Sequence, residues 1–161
     1  MAELTPTSKK NSAVHHALQV RLSLSTGNYH RFFKLYLNAP NMNAYIMDHF
    51  VERERVVALS ILARSYRPSL PLSYLSTELG FTDLNEAHEF LEKHAIAVYV
   101  DPTPAELAAI GNGTQQQGKK RKKMTPGVAS VPLEQRKWDC KGALAGIIAA
   151  GDKYRKIDVS P

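Results

Sequence analysis

Helix-breaking residues divide the first part of this chain into short segments. The positions of these residues limit the possible folds more than any other feature of the sequence. Gly27-Asn28 separates two stretches in which apolar residues recur with helical spacing. The residues that share a face are Val14, Ala17, Leu18 and Leu22 before the break, and Tyr29, Phe32, Phe33 and Tyr36 after it. Ala39-Pro40 ends the second stretch, because a residue before proline disfavours the α region. Helices joined by so short a turn are expected to pack as an antiparallel hairpin.

A third helical stretch follows, from about residue 43 to residue 66, either as one helix or as two helices with a bend near Phe50. Its first half is charged, and we expect Arg53 and Arg55 to form a surface ion-pair network with Glu52 and Glu54. Pro68 and Pro71 then mark a domain boundary. The predicted organisation is a disordered arm over residues 1–12, a helical unit over 13–67 and a second unit over 68–161.

The second unit reads as a winged helix. Residues 70–72 form a short predicted strand, residues 73–79 a short helix that Gly80 terminates, and residues 83–93 another helix. Asp83 and Glu86 have the spacing of a capping box at the start of that helix. Residues 95–100 are a β-type run, and its partner strand is expected at residues 136–141. Helix, turn, helix and paired strands predict a mainly α fold with a small β-wing.

The two predicted wing strands are separated by a long insertion, residues 103–132, whose glycine and glutamine content predicts disorder. It contains a run of five cations, called the basic run below, which accounts for most of the net charge of +6. Its members are Lys119, Lys120, Arg121, Lys122 and Lys123. Such a run either lies along a phosphate backbone or serves as a nuclear import signal, and the two roles are compatible. The alternative is a solvated loop without a partner.

Catalytic chemistry has little support in the sequence. Cys140 is the only cysteine, no histidine lies near it, and a buried structural role is favoured. The histidines do not have metal-ligand spacing, and no phosphate-binding glycine motif joins a strand to a helix. We therefore expect a protein that is not an enzyme and needs neither cofactor nor metal. The absence of a long apolar stretch or a secretory signal argues against a membrane location.

The remaining candidates concern binding. The aromatic stripe of the second helix resembles a base-stacking platform, but its helical spacing favours a place in the core. The second helix of the predicted winged helix has Glu86, Glu89 and Glu92 on its outer surface, with Lys93 as the one cation on that helix. This acidic surface argues against a sequence-specific DNA-binding protein. A partner protein is expected to contact the wing edge at Val98, Tyr99, Val100 and Trp138. The competing interpretation is that Trp138 covers the winged-helix core.

Three segments carry a family resemblance. Residues 27–36 (GNYHRFFKLY) resemble the helix-turn-helix signature of GANP-like proteins, nuclear mRNA-processing and export factors with a PCI domain. Residues 66–75 (YRPSLPLSYL), with Glu78-Leu79-Gly80-Phe81, resemble the branch that contains leukocyte receptor cluster member eight and its yeast counterpart. Residues 138–141 (WDCK) resemble the wing strand of that branch. The resemblance implies a PCI-type helical repeat followed by a winged helix.

The family also implies partners and a location. PCI proteins of this kind pair through their winged helices with a second PCI-domain protein, and a small acidic protein of the Sem/Dss type braces the helices of that partner. The expected function is a nuclear mRNA-maturation or export subunit that binds RNA or single-stranded nucleic acid nonspecifically. The alternative is a pure protein-interaction scaffold whose basic run is only an import signal. Most of the helical repeats of full-length members are missing here, so we expect exposed apolar surface near residues 14–24.

Overall fold

A computed structural model describes residues 11–40, 42–103 and 131–155, and within them the chain forms helices joined to a small sheet. The helices are α1 (Ser12–Ser25), α2 (Tyr29–Leu37), α3 (Asn43–Ser65), α4 (Leu72–Glu78), α5 (Leu84–Lys93) and α6 (Leu144–Arg155). The strands are β1 (Ser69–Pro71) and β2 (Lys137–Asp139), and a 3-10 turn, Leu133–Gln135, precedes β2. The predicted arm and the basic run lie outside the described residues, apart from positions 11 and 12.

The turn between α1 and α2 forms as its sequence predicts. Gly27 has a φ of 65°, which a residue without Cβ adopts readily. The Gly27 and Asn28 amides donate to the carbonyls of Leu24 and Ser23, at 3.2 and 2.9 Å. These two bonds satisfy the last carbonyls of α1 in a Schellman motif. The Asn28 side chain then accepts from the Arg31 amide at 2.9 Å, so one turn ends α1 and begins α2.

Helix α1 packs on its neighbours through a different face from the predicted apolar stripe. Its buried residues are His16, Val20 and Ser23, whereas Leu18 and Leu22 are exposed. His16 is accommodated because its Nε2 donates to the Leu35 carbonyl at 2.9 Å and its Nδ1 accepts from Asn43 at 3.2 Å. The prediction of exposed apolar surface on α1 is therefore confirmed, and the stripe as its packing face is wrong.

Helix α3 runs unbroken from Asn43 to Ser65, so this stretch is one helix and not two helices that meet near Phe50. Apolar side chains on successive turns are buried along its length and pack it against the rest of the fold. They include Met47, Val51, Ala58, Leu59 and Leu62. Helix α6 packs against α3 on the side of the second predicted unit, and Gly146 of α6 approaches Ala95 so closely that an added Cβ would lie 2.7 Å from the Ala95 carbonyl oxygen.

In the helix-turn-helix of the second unit, the predicted residues end the first helix and cap the second. Gly80, with a φ of 63°, closes α4 through bonds from the Gly80 and Phe81 amides to the carbonyls of Thr77 and Ser76. The Asp83 carboxylate caps α5 by accepting from the Glu86 amide at 2.7 Å. The Glu86 carboxylate reaches back to the Thr82 amide at 2.8 Å, one residue earlier than in the usual capping box.

The wing is small. Strands β1 and β2 pair antiparallel, with Leu70 opposite Trp138. The predicted strand over residues 95–100 reduces to a single bridge between Tyr99 and Trp138. The first residues of this run complete the end of α5, where Ala95 has a φ of 55°. Only residues 98–100 therefore lie beside β2. The mainly α architecture with a small β-wing is confirmed.

One hydrophobic cluster extends through both predicted units. It joins Phe32 and Phe33 of the hairpin and Leu59 of α3 to Leu75 and Trp138 of the winged helix. Phe32 and Phe33 are almost fully buried, so these two members of the aromatic stripe belong to the core. The domain boundary near Pro68 stays a prediction, because residues from both sides of Pro68 contribute to one hydrophobic core.

Candidate partner and nucleic-acid interface

The wing places β2 between two neighbours. On one side lies β1, and on the other the Val100 amide donates to the Lys137 carbonyl while the Asp139 amide donates to the Val98 carbonyl, at 2.9 and 2.8 Å. Strand β2 is therefore not an open edge. The outer segment, residues 98–100, is the part of the wing whose other side faces away from the sheet.

Trp138 lies in the core, with 0% of its surface exposed. Its indole Nε1 donates to the Ile96 carbonyl at 2.8 Å, which satisfies the one polar atom of the ring. A side chain with no accessible surface has nothing to offer a partner in this conformation. The prediction of direct partner contact at Trp138 is corrected in favour of the competing interpretation, that it covers the winged-helix core.

The outer wing segment is more accessible. Val98 and Tyr99 are half-buried and Val100 is 41% exposed. The Tyr99 hydroxyl and His88 Nδ1 are hydrogen-bonded at 2.7 Å, and the Arg136 guanidinium lies 5.5 Å from the centre of the Tyr99 ring. Burial raises the pKa of Tyr99 to about 12, so the phenol stays protonated. A partner contact at these three residues stays a prediction, now limited to the outer face of the wing.

The outward surface of α5 is acidic, as the sequence predicts, and more so than expected. Glu89 and Glu92 are exposed on it. Lys93 does not oppose them, because its ammonium is 2.7 Å from a carboxylate oxygen of Glu52 on α3. Glu92 Oε1 lies 3.4 Å from His88 Nε2. A phosphate backbone would still meet exposed carboxylates here, so α5 is unsuited to the major groove.

Arg55 is the largest departure from the sequence analysis. It is 7% exposed instead of lying on the surface, and its guanidinium donates to the carbonyls of Leu79 and Gly80, at 3.2 and 3.0 Å. Its ion partner is Glu86 of α5, at 3.3 Å. The predicted surface network holds for Arg53, which contacts Glu54 at 3.1 Å, and is wrong for Arg55.

Two surfaces were missed by the sequence analysis as sites. One is an apolar groove of about 250 Å³ between α1 and α3, lined by Val20, Leu24, Ile46 and Phe50 among others. The second is a tyrosine cluster, formed by Tyr29, Tyr66 and Tyr74, where the end of α3 meets α2 and α4. The groove joins α1 to α3, and the cluster joins residues of α2 and α4 to the end of α3, so the periodicity within one helix marks neither surface.

Reactive and metal-binding groups show no clustering in the described ranges. No group of three or more potential metal ligands comes together in residues 11–40, 42–103 and 131–155. Cys140 is fully buried, and burial raises the pKa of its thiol, which disfavours the nucleophilic thiolate. Within the same residues no helix has the length and apolar character needed to cross a membrane.

Comparison with known proteins adds to this geometry. Residues 1–100 match the model of the SAC3/GANP family. The chain is 44% identical over 104 residues to a THP3 homolog of Schizosaccharomyces pombe, covering 65% of this chain and 26% of that protein. It is 40% identical over 116 residues to a leukocyte receptor cluster member 8 homolog of Xenopus laevis, covering 72% and 13%.

A third relative, SAC3 family protein A of Arabidopsis thaliana, is 49% identical over 82 residues, which cover 51% of this chain and 8% of that protein. The chain thus spans about a quarter or less of the length of these relatives. The family match extends from the arm through the hairpin and α3 to the outer wing segment, which includes the resemblance segments 27–36 and 66–81. This chain belongs to the SAC3/GANP family.

Proposed function

We propose that the chain is a non-catalytic subunit of nuclear mRNA maturation or export, which pairs with a second PCI-domain protein and holds RNA without reading its sequence. The observation that carries the proposal is the family match over residues 1–100. The resemblance extends the proposal to a small acidic Sem/Dss-type protein that braces the helices of the partner. A nuclear location follows from the same resemblance.

The charge distribution supports nucleic-acid binding by the basic run and not by the surface of α5. The acidic surface of α5 disfavours contact with phosphates, so nucleic acid is held elsewhere. The basic run supplies five cations between two segments of the wing, residues 98–103 and 131–139. Cations on a loop bind phosphates without fixed contacts to bases, which suits binding without sequence preference.

The outer wing segment is the proposed contact for the second PCI-domain protein. Val100 presents an exposed apolar side chain there, and the backbone beyond the Tyr99 bridge continues no ladder within the described residues. An apolar side chain on an outer sheet segment is the kind of surface that a second winged helix covers.

The RNA-binding part is tested by titrating the full chain with a labelled oligouridylate at several salt concentrations. Five phosphate contacts on a single strand give a log–log slope of at most about −3.5, from roughly −0.7 per phosphate. Replacing all five cations of the basic run with glutamine is expected to flatten that slope and weaken binding. Replacing exposed Lys141 and Lys153 with glutamine is the control and is expected to change both much less. No binding by the unchanged chain contradicts the proposal.

A scaffold function is the second candidate, and the acidic α5 surface favours it because such a surface suits protein or water better than RNA. In that case the basic run serves nuclear import only. The same glutamine variant separates the two functions. The scaffold predicts unchanged RNA affinity and a fluorescent fusion that moves to the cytoplasm, whereas the leading proposal predicts weakened RNA binding.

A further inference from the structure

Two tyrosines, one at the end of α3 and one in α4, contact each other on the surface. Tyr66 caps the end of α3 and Tyr74 lies in α4, and their hydroxyls are hydrogen-bonded at 3.2 Å. Their ring centres are 5.9 Å apart and the planes are inclined by 59°. The two residues are 40% and 36% exposed. Both rings are therefore held in place while part of each remains accessible to solvent.

Charged residues of both signs lie near this pair. Tyr29, at the start of α2, is close enough for Tyr66 and Glu78 to contribute to the raised pKa of its phenol, of which burial is the main cause. Exposed arginines lie within two residues of Tyr29 and of Tyr66, and they are Arg31, Arg64 and Arg67. No aspartate or glutamate lies within two residues of any of the three tyrosines.

The carboxylate of Glu78, which acts on Tyr29 and Tyr74, already has a partner. Glu78 accepts from His30 Nδ1 at 2.6 Å, and its side chain is only 16% exposed. Its charge is thus directed at His30, and the exposed arginines near Tyr29 and Tyr66 in the chain are the cations available to a ligand. Fixed aromatic rings beside cations are the two elements with which proteins bind unpaired bases and the phosphates that connect them.

We infer that Tyr66 and Tyr74, with the exposed Arg64 and Arg67 near them in the chain, form a stacking site for bases of single-stranded RNA. The inference rests on the proposed function and adds a second site to it, built on rigid helices and separate from the basic run. The hydroxyl bond fixes both rings before RNA arrives, which lowers the entropy cost of binding. Tyr66 ends α3 and Tyr74 lies within α4, so both rings are carried by helices.

The test uses the full chain with Tyr66→Ala and Tyr74→Ala together, titrated with the same oligouridylate. Affinity is expected to fall by at least about five-fold for each ring that stacks on a base. The salt slope is expected to stay unchanged, because no cation is removed. Tyr66→Phe with Tyr74→Phe keeps both rings and is expected to keep most of the affinity. Tyr45→Ala removes an exposed tyrosine from another part of α3 and is the matched control.

A second measurement does not depend on the folding of any variant. Ultraviolet cross-linking of oligouridylate to the unchanged chain, followed by mapping of the adduct, is expected to mark Tyr66 or Tyr74. Adducts confined to other residues, or equal affinity in the double alanine variant and the unchanged chain, overturn the inference and leave the proposed function standing. Loss of a protein partner with unchanged RNA affinity also overturns it, since the pair then contacts protein. Absence of RNA binding in the unchanged chain overturns both.

Discussion

The guanidinium carbon of Arg55 lies 3.8 Å from the centre of the Phe81 ring, and this stacked pair ties the long helix α3 to the turn between α4 and α5. Because the same guanidinium also donates to the Leu79 and Gly80 carbonyls, it satisfies two acceptors that would otherwise be buried without a partner. Arg55 thereby fixes the orientation of the helix-turn-helix relative to the hairpin unit.

Replacing Arg55 with methionine is expected to lower the free energy of unfolding by about 2–4 kcal/mol, since each buried acceptor left unpaired costs ~1–3 kcal/mol. Arg55→Lys is expected to lose much of the same stability, because an ammonium cannot form the planar fork. Arg53→Met, at the surface pair with Glu54, is the control and is expected to cost less than about 1 kcal/mol. Urea unfolding followed by circular dichroism measures all three, and equal losses at the two positions would contradict the role of Arg55.

Trp138 and Val100 are expected to respond in opposite ways. Trp138→Ala removes a fully buried ring and is expected to cost about 3–5 kcal/mol of stability. Val100→Asp changes an exposed position and is expected to leave stability within about 0.5 kcal/mol, while it weakens pairing with a second PCI-domain protein. Thermal unfolding and size-exclusion chromatography of the two chains together measure the two effects. A stable Trp138→Ala variant would contradict the core assignment.

Stability is expected to fall as the pH falls below about 6.5. Burial is the largest cause that lowers the pKa of His94 from 6.5; Lys93 and Lys153 act in the same direction and Glu52 opposes them. Because the unfolded chain binds the proton more readily than the folded chain, acid favours unfolding through the window between the two pKa values. Glu52, whose pKa is lowered mainly by its bond to Lys93, adds a separate loss below about pH 4.5.

His94→Leu is expected to flatten the upper of these two windows and leave the lower one intact. His15→Leu, at an exposed position of α1, is the matched control and is expected to keep both. Chemical denaturation at a series of pH values gives the free energy of unfolding for each variant. If the His94 variant and the unchanged chain have parallel profiles between pH 7 and the Glu52 window, His94 is not the group responsible.

The apolar surface along α1 and α3 is expected to bind a hydrophobic dye. Leu22→Gln with Ile46→Gln is expected to reduce dye fluorescence with a stability change of less than about 0.5 kcal/mol, because both side chains are exposed. Val20→Ala, at a buried position between them, is expected to cost roughly 1–3 kcal/mol and to keep the dye signal. Strong destabilisation by the glutamine pair would show that this surface is covered in solution.

Two turn positions are expected to show reciprocal effects of glycine. Ala95 occupies the left-handed position after α5 and is exposed, so Ala95→Gly is expected to relieve strain and stabilise the fold by about 0.5–1 kcal/mol. Gly80 occupies the same position after α4, and Gly80→Ala is expected to destabilise by a similar ~1 kcal/mol. Unfolding midpoints measure both, and a shift of the same sign at the two positions would contradict the argument.

Several helix ends could be predicted from the sequence, because the signals for them act within a few residues. Gly27, Gly80 and Asp83 each satisfy backbone groups of their own turn, so their roles are readable without the fold. The aromatic core residues Phe32 and Phe33, and the β-type run that became the outer wing segment, were predictable for the same local reason. The family segments also lie in these ordered stretches.

Which helix faces pack and which residues meet depends on contacts between elements, and local signals did not predict them. Arg55 was assigned to its sequence neighbours, yet its partners lie 24, 25 and 31 residues away, because adjacent helix positions point in different directions and burial favoured acceptors from another element. Helix α1 packs through His16 instead of its apolar stripe, since the Leu35 carbonyl and Asn43 meet both ring nitrogens. The Tyr66–Tyr74 pair likewise depends on how the end of α3 meets α4, a contact that no periodicity along the chain encodes.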